Sequence, residues 1–154
     1  MPILPAIALL AALAQSAAAP TATLKFAKDK VPGDSVVKAI LTVTFAEGLH
    51  GYQNPPSDQY QIPLVVKVSE KGFTLVKAEY PKGVDFTMPG EAKPAKVYEG
   101  AITIPLEIKT NKKPGTYNVN LRVEYQQCNA NSCFPPGAFT VKAKLAVTKP
   151  GKKV

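Results

Sequence analysis

Two cysteines, Cys128 and Cys133, are the only thiols in this chain of 154 residues, and four residues separate them in Gln126-Gln127-Cys128-Asn129-Ala130-Asn131-Ser132-Cys133-Phe134-Pro135-Pro136. Thiol-disulfide exchange needs a thiolate that attacks a partner's disulfide and a second thiol that displaces the partner from the mixed disulfide. A close pair in a polar loop supplies both. The competing role is structural. Closing so short a loop removes little entropy from the unfolded chain compared with a long-range staple, so the bond would be an inefficient stabiliser. Short disulfides nonetheless stiffen loops in secreted proteins, and spacing alone leaves both roles open.

Other chemistries fit the remaining residues poorly. His50 and Met88 would join Cys128 and Cys133 as soft or borderline metal ligands, but one histidine falls short of the two that a blue-copper centre takes. Structural zinc uses four Cys or His ligands where the chain offers three. A Ser-His-Asp arrangement would have to recruit His50, Ser57 and Asp58, and no nucleophile motif surrounds Ser57. A lone histidine in a Pro-rich loop is expected at the surface. No metal and no cofactor is therefore expected. The net charge of +8 comes almost entirely from dispersed lysines, with Arg122 the one arginine. Nucleic-acid binding would call for clustered arginines and stacking aromatics, so these lysines read as a solvated surface that guards strand edges.

The elements that must position the cysteines follow from hydropathy. Residues 1–18 form an uncharged apolar stretch ending in small residues, expected to be an export signal cleaved after Ser16 or Ala18, because Pro20 hinders cutting after Ala19. Export delivers the cysteines to an oxidising compartment where a disulfide persists. Every later apolar run is interrupted by Lys, Glu, Pro or Gly, so the mature form is expected to be soluble. Residues 20–148 should make one domain and 149–154 a frayed tail.

Within that domain, apolar side chains recur at every second position, the period of a half-buried strand. Leu41, Val43 and Phe45 form one such set, and Ile62, Leu64, Val66 and Val68 a second. Ile102 to Ile108, Tyr117 to Tyr125 and Phe139 to Val147 continue the pattern, with Leu24 to Ala27 and Phe73 to Tyr80 as weaker runs. Between them stand turn signals such as Pro32-Gly33-Asp34, Pro81-Lys82-Gly83 and Lys113-Pro114-Gly115. Helical periodicity is absent from the mature segment. These strands and turns predict an all-β, immunoglobulin-like antiparallel β-sandwich, with the cysteine segment at the end of a hairpin. Pro63 and Pro105 predict an edge or a bulge in their strands.

The residues around the cysteines also carry a family likeness. Tyr125-Gln126-Gln127-Cys128 followed by Cys133-Phe134-Pro135-Pro136 resembles the redox motif of the N-terminal periplasmic domain of DsbD, the bacterial thiol:disulfide interchange protein. Gly48-Leu49-His50, Asn54-Pro55-Pro56-Ser57-Asp58, Ile62-Pro63, Tyr80-Pro81-Lys82-Gly83-Val84 and Val97-Tyr98-Glu99-Gly100 resemble that family's pattern in the same order, over roughly residues 22–148.

The resemblance implies an immunoglobulin-like domain that takes electrons from a membrane-embedded partner and passes them to periplasmic thioredoxin-fold proteins. It implies that Cys133 forms the mixed disulfide and that Cys128 resolves it. It further implies a mobile cap loop, here within Asp85 to Glu91, with Phe86 or Met88 over the sulfurs; packing of Phe86 in the core is the alternative. Tyr125 and Phe134 are expected neighbours of the site, whereas Tyr52, Tyr60 and Tyr98 read as packing residues with one wet edge. DsbD-type proteins continue into a membrane domain and a thioredoxin-like domain, and with the sequence ending at Val154 the electron donor is expected to be a separate protein. A non-catalytic binding module with a loop-stiffening disulfide is the reading from another class.

Overall fold

The long strands form where apolar side chains alternate, because alternation gives each strand one face to bury and one to leave in water. The structure is a computed structural model that describes residues 17–152. Apart from Ala17 and Ala18, the expected export signal lies outside those residues. Among the described residues there is no helix, and the strands in chain order are β1 (Thr21–Phe26), β2 (Lys30–Pro32), β3 (Val36–Thr44), β4 (His50–Tyr52), β5 (Val65–Val68), β6 (Thr74–Ala78), β7 (Val84–Phe86), β8 (Ala95–Glu99), β9 (Ala101–Lys109), β10 (Gly115–Tyr125), β11 (Gln127–Cys128) and β12 (Gly137–Thr148).

Two four-stranded sheets make an immunoglobulin-like β-sandwich. One runs β1-β3-β9-β6 and the other β2-β12-β10-β5. In the first, the register sets Val37 opposite Ile108, Ala39 opposite Leu106 and Leu41 opposite Ile104. Directly opposed residues share a face, so these apolar positions accumulate on one side of the sheet. In the second, Val68 and Val66 of β5 stand opposite Leu121 and Val123 of β10. The two apolar faces meet: Leu41, Ile104, Ile108, Val119, Leu121, Val123 and Leu145 are all 0% exposed. Each such side chain contributes about 1.5–3 kcal/mol relative to its exposed state.

Three details differ from the pattern expected. The strand predicted across Ile62 to Val68 is shorter, because only Val65–Val68 pairs as β5 while Ile62 lies exposed. β5 is an edge strand, in keeping with Pro63 just ahead of it. Pro105, by contrast, sits in β9, an interior strand, and the bulge lies across the ladder in β6, where register shifts between Leu75 and Lys77. The Pro105 carbonyl accepts the Glu79 N–H at 2.9 Å. Its nitrogen faces the same side of the strand, toward the end of β6, whose last paired residue is Ala78, so little pairing is lost there. Finally, β2 runs parallel to β12, the one parallel ladder among the described strands of an otherwise antiparallel fold.

A third, smaller sheet, β11-β4-β8-β7, joins the sandwich at one end. One close approach fixes it there and another holds it together. A Cβ on Gly51 in β4 would lie 2.7 Å from Cζ of the buried Phe45, so that position accepts no side chain without movement of the ring. Gly83 lies against the β8 backbone, where a Cβ would meet the Val97 carbonyl oxygen at 2.5 Å. Tyr98 of β8 reaches into the sandwich core, donates its hydroxyl to the Pro81 carbonyl at 2.8 Å and accepts the Asn54 N–H at 3.1 Å. Its buried oxygen is thereby satisfied.

Candidate functional site

The cysteine loop is the connection of the longest hairpin. β10 and β12 pair from Gly115 opposite Val147 to Tyr125 opposite Gly137, and residues 126–136 cross between them. Asn129 organises the tip, its side-chain oxygen accepting the N–H groups of Asn131 and Ser132, each at 2.8 Å. This is the self-capping that makes Asn a turn residue. The Asn129 N–H donates to the Ser132 carbonyl at 2.9 Å, and the Phe134 N–H donates to the Gln127 carbonyl at 2.8 Å. These bonds fold the loop back on itself and bring the two cysteines into a disulfide with Cα atoms 3.9 Å apart.

The two sulfurs have unequal surroundings. Cys128 is 0% exposed, whereas Cys133 is exposed. The small sheet accounts for the burial. Its register sets Cys128 opposite His50, His50 opposite Glu99, Tyr52 opposite Val97, Val97 opposite Val84 and Ala95 opposite Phe86. Side chains alternate along each strand and opposed residues share a face, so Cys128, His50, Tyr52 and Phe86 all project to one side. Contacts agree with that assignment. The Phe86 ring lies 4.2 Å from the His50 ring, tilted by 42°, and the Tyr52 hydroxyl lies 3.5 Å from Cys133 Sγ.

Beside this face opens a cleft of about 700 Å³ lined by Tyr52, Tyr60, Phe86, Met88, Lys93 and Cys133. Phe86 and Met88, expected over the sulfurs, are half-buried on the wall of the same cleft as Cys133, and the ring contact of Phe86 is with His50. Phe134 holds the loop through its backbone, its carbonyl also accepting Gln126 Nε2 at 3.1 Å. Tyr125 stands at the loop's root, its ring centroid 5.8 Å from that of Phe139. Tyr60 is 85% exposed at the cleft, and Tyr98 is buried in the core.

Two residues depart from expectation. His50 is not a surface histidine: it is 3% exposed in β4, and its Nε2 is buried without a hydrogen-bond partner. Burial holds its pKa below 6.5, with the Glu99 carboxylate opposing part of that effect, so the imidazole is neutral at neutral pH. Tyr52, expected as a packing residue, sets its hydroxyl against the exposed sulfur. Burial and the Glu91 carboxylate raise its pKa above 10.0, which keeps the hydroxyl protonated. No local signal announces either residue, because His50-Gly51-Tyr52 is a three-residue strand among turn residues, too short to show a period. Among the described residues no group of three or more His, Cys, Asp or Glu side chains is placed to hold a metal ion, and no helix is long and apolar enough to cross a membrane.

Comparison with known proteins agrees with this architecture. The family described as "Thiol:disulfide interchange protein DsbD, N-terminal" matches residues 16–145. Among solved structures, the N-terminal periplasmic domain of ScsB from Proteus mirabilis superposes with a TM-score of 0.56 at 18% identity, over 84% of this chain and 46% of that one. The N-terminal domain of Neisseria meningitidis DsbD in the reduced form superposes with a TM-score of 0.52 at 17% identity, over 81% of this chain and 85% of that one. The chain thus spans less than half of the ScsB domain, and at these identities the two structures speak for the fold. No curated protein matches the sequence. With its cysteines joined at the tip of the β10–β12 hairpin and the family match running from residue 16 to residue 145, this chain belongs to the DsbD N-terminal family of thiol-disulfide exchange domains.

Proposed function

We propose that the domain relays electrons in the bacterial periplasm, with Cys133 as the sulfur that bonds to a thioredoxin-fold partner and Cys128 as the sulfur that releases it. The observation that carries this reading is the difference in exposure across one disulfide: Cys133 can be reached from the cleft and Cys128 cannot. An incoming thiolate must approach a sulfur along the S–S axis, so the exposed end takes the visitor and the buried end becomes the leaving or resolving thiol. In the donating direction the reduced pair attacks a partner disulfide through Cys133, and Cys128 then displaces the partner as a dithiol. The reverse sequence recharges the domain from a membrane electron donor.

Under this reading the segment around Phe86 and Met88 is a cap that yields when the partner docks. Its half-buried side chains and the open cleft beside them support that role.

The direct test uses Cys128→Ala, reduced and mixed with an oxidised periplasmic thioredoxin-fold protein. A mixed disulfide through Cys133, stable on a non-reducing gel and mapped by mass spectrometry, is expected. A folded variant that forms no adduct, together with a wild-type disulfide potential below about −300 mV, would instead mark a loop-stiffening bond.

A further inference from the structure

Resolution of a mixed disulfide poses a proton problem that the exchange reading leaves unsolved. Cys128 must become a thiolate to attack, yet it is fully buried, and burial in apolar surroundings disfavours the charged thiolate. Water cannot take the proton where it has no access. A base must therefore be built into the wall beside Cys128.

The geometry points to His50 as that base. We infer that the His50 imidazole accepts the Cys128 thiol proton during resolution and returns it in the reverse step, an assignment that rests on the exchange reading above. Three observations carry it. His50 is the direct cross-strand partner of Cys128 in the β4–β11 ladder, which sets the two side chains side by side on one face. Its Nε2 is buried and has no partner within the protein, and most buried polar atoms in native structures do have one. The Phe86 ring covers the imidazole at 4.2 Å and shields it from solvent.

The groups that face His50 are few. Glu99 opposes it from β8 with an exposed side chain, Cys128 opposes it from β11, β7 supplies the uncharged Phe86 ring, and Tyr52 lies two positions along its own strand. Of these, Cys128 is the one group that is both buried and required to lose a proton. The neutral imidazole that burial favours has a lone pair free to receive it.

The step balances as follows. The starting species holds Cys133 Sγ bonded to the partner's sulfur and Cys128 as a thiol. The proton passes from Cys128 Sγ to the imidazole. The Cys128 thiolate attacks Cys133 Sγ, the Cys128–Cys133 bond forms, and the Cys133–partner bond breaks with its electron pair on the partner's sulfur. The imidazolium proton then passes to that departing thiolate, and the imidazole is neutral again. The cysteine pair is oxidised by two electrons and the partner's disulfide is reduced.

The test uses the reduced wild-type chain and dithiobis-nitrobenzoate as the probe disulfide. Attack by Cys133 releases a first thionitrobenzoate and resolution by Cys128 releases a second, so the two steps separate as two kinetic phases. His50→Phe keeps an aromatic ring in the buried site and removes the base; His50→Gln keeps a polar group that cannot take the proton. General bases contribute roughly 100- to 10,000-fold, so in both variants the second phase should slow at least tenfold relative to the first near neutral pH. The loss should shrink only well above pH 8.5, about where an exposed thiol ionises, because burial disfavours the Cys128 thiolate. A second phase with unaltered rate and pH profile overturns the assignment while leaving exchange intact. A wild-type chain that releases no second thionitrobenzoate overturns the exchange reading itself.

Should the variants fail to fold, the wild type decides alone, because His50 is the only histidine and its imidazole resonances are unambiguous. They should titrate differently in the disulfide and dithiol forms. Identical titration in both forms overturns the assignment.

Discussion

The sandwich and the small sheet are built from the same backbone pairing and serve opposite ends. In the sandwich, strands of up to twelve residues alternate regularly and bury a continuous apolar layer. In the small sheet, strands of two to five residues carry Cys128, His50, Tyr52 and Phe86 on one face, next to an open cleft. The larger body supplies the stability that the smaller one lacks. In return, the small sheet can hold a polar, partly unsatisfied face that no core would tolerate. Chemistry in this domain sits at the seam, where a buried sulfur of the sheet meets the tip of a sandwich hairpin.

The contrast is broken most forcefully from the sandwich side. Leu121→Ala removes a side chain with no exposure at the centre of β10, and about 3 kcal/mol of stability should be lost. Denaturant unfolding measures it, and a cost under about 1 kcal/mol would show that the two sheets are not one cooperative core. Next comes the seam. Gly51→Ala places a methyl group into the Phe45 ring, an overpacking expected to cost about 1–3 kcal/mol and to slow exchange at the same time. If exchange with a thioredoxin-fold protein keeps its wild-type rate while stability falls, the small sheet is mechanically independent of Phe45.

The smallest effect should come from within the site. Tyr52→Phe deletes the hydroxyl beside Cys133 Sγ, which would donate to the thiolate form, and alkylation of reduced Cys133 should slow by about threefold at neutral pH, in line with a net hydrogen bond near 0.5–1.5 kcal/mol. Stability should scarcely move, since the residue is only half-buried. A loss of stability with no change in alkylation would give Tyr52 a packing role alone.

How far each region could be read from sequence follows the same division. β9, β10 and β12 were legible because nine to twelve residues of alternation leave one reading of face and register, whereas β3 was legible only from Leu41 onward, since Val36-Val37 and Ile40-Leu41 put apolar side chains on both faces. The cysteine pair was legible through its spacing and its Gln-Gln-Cys and Cys-Phe-Pro-Pro flanks. The small sheet as a pairing was not. His50-Gly51-Tyr52 is too short to show a period, and Val84–Phe86 lies among prolines, glycines and charges that read as loop. Its pairing is decided by tertiary approach, through Gly51 under Phe45 and Gly83 against Val97, which local pattern does not encode. For the same reason His50 looked like a surface residue, since nothing in its neighbours announces the sheet that buries it.

The hairpin that carries the cysteines has a consequence for how such a domain can diversify. Eleven consecutive residue pairs lock β10 to β12 before the loop begins, and the loop then closes on hydrogen bonds among its own residues. Changes in the length or composition of residues 129–132 would therefore leave the framework undisturbed while re-aiming the outer sulfur. Partner choice could drift over generations, or be redirected at the bench, by editing four positions on an otherwise fixed chassis.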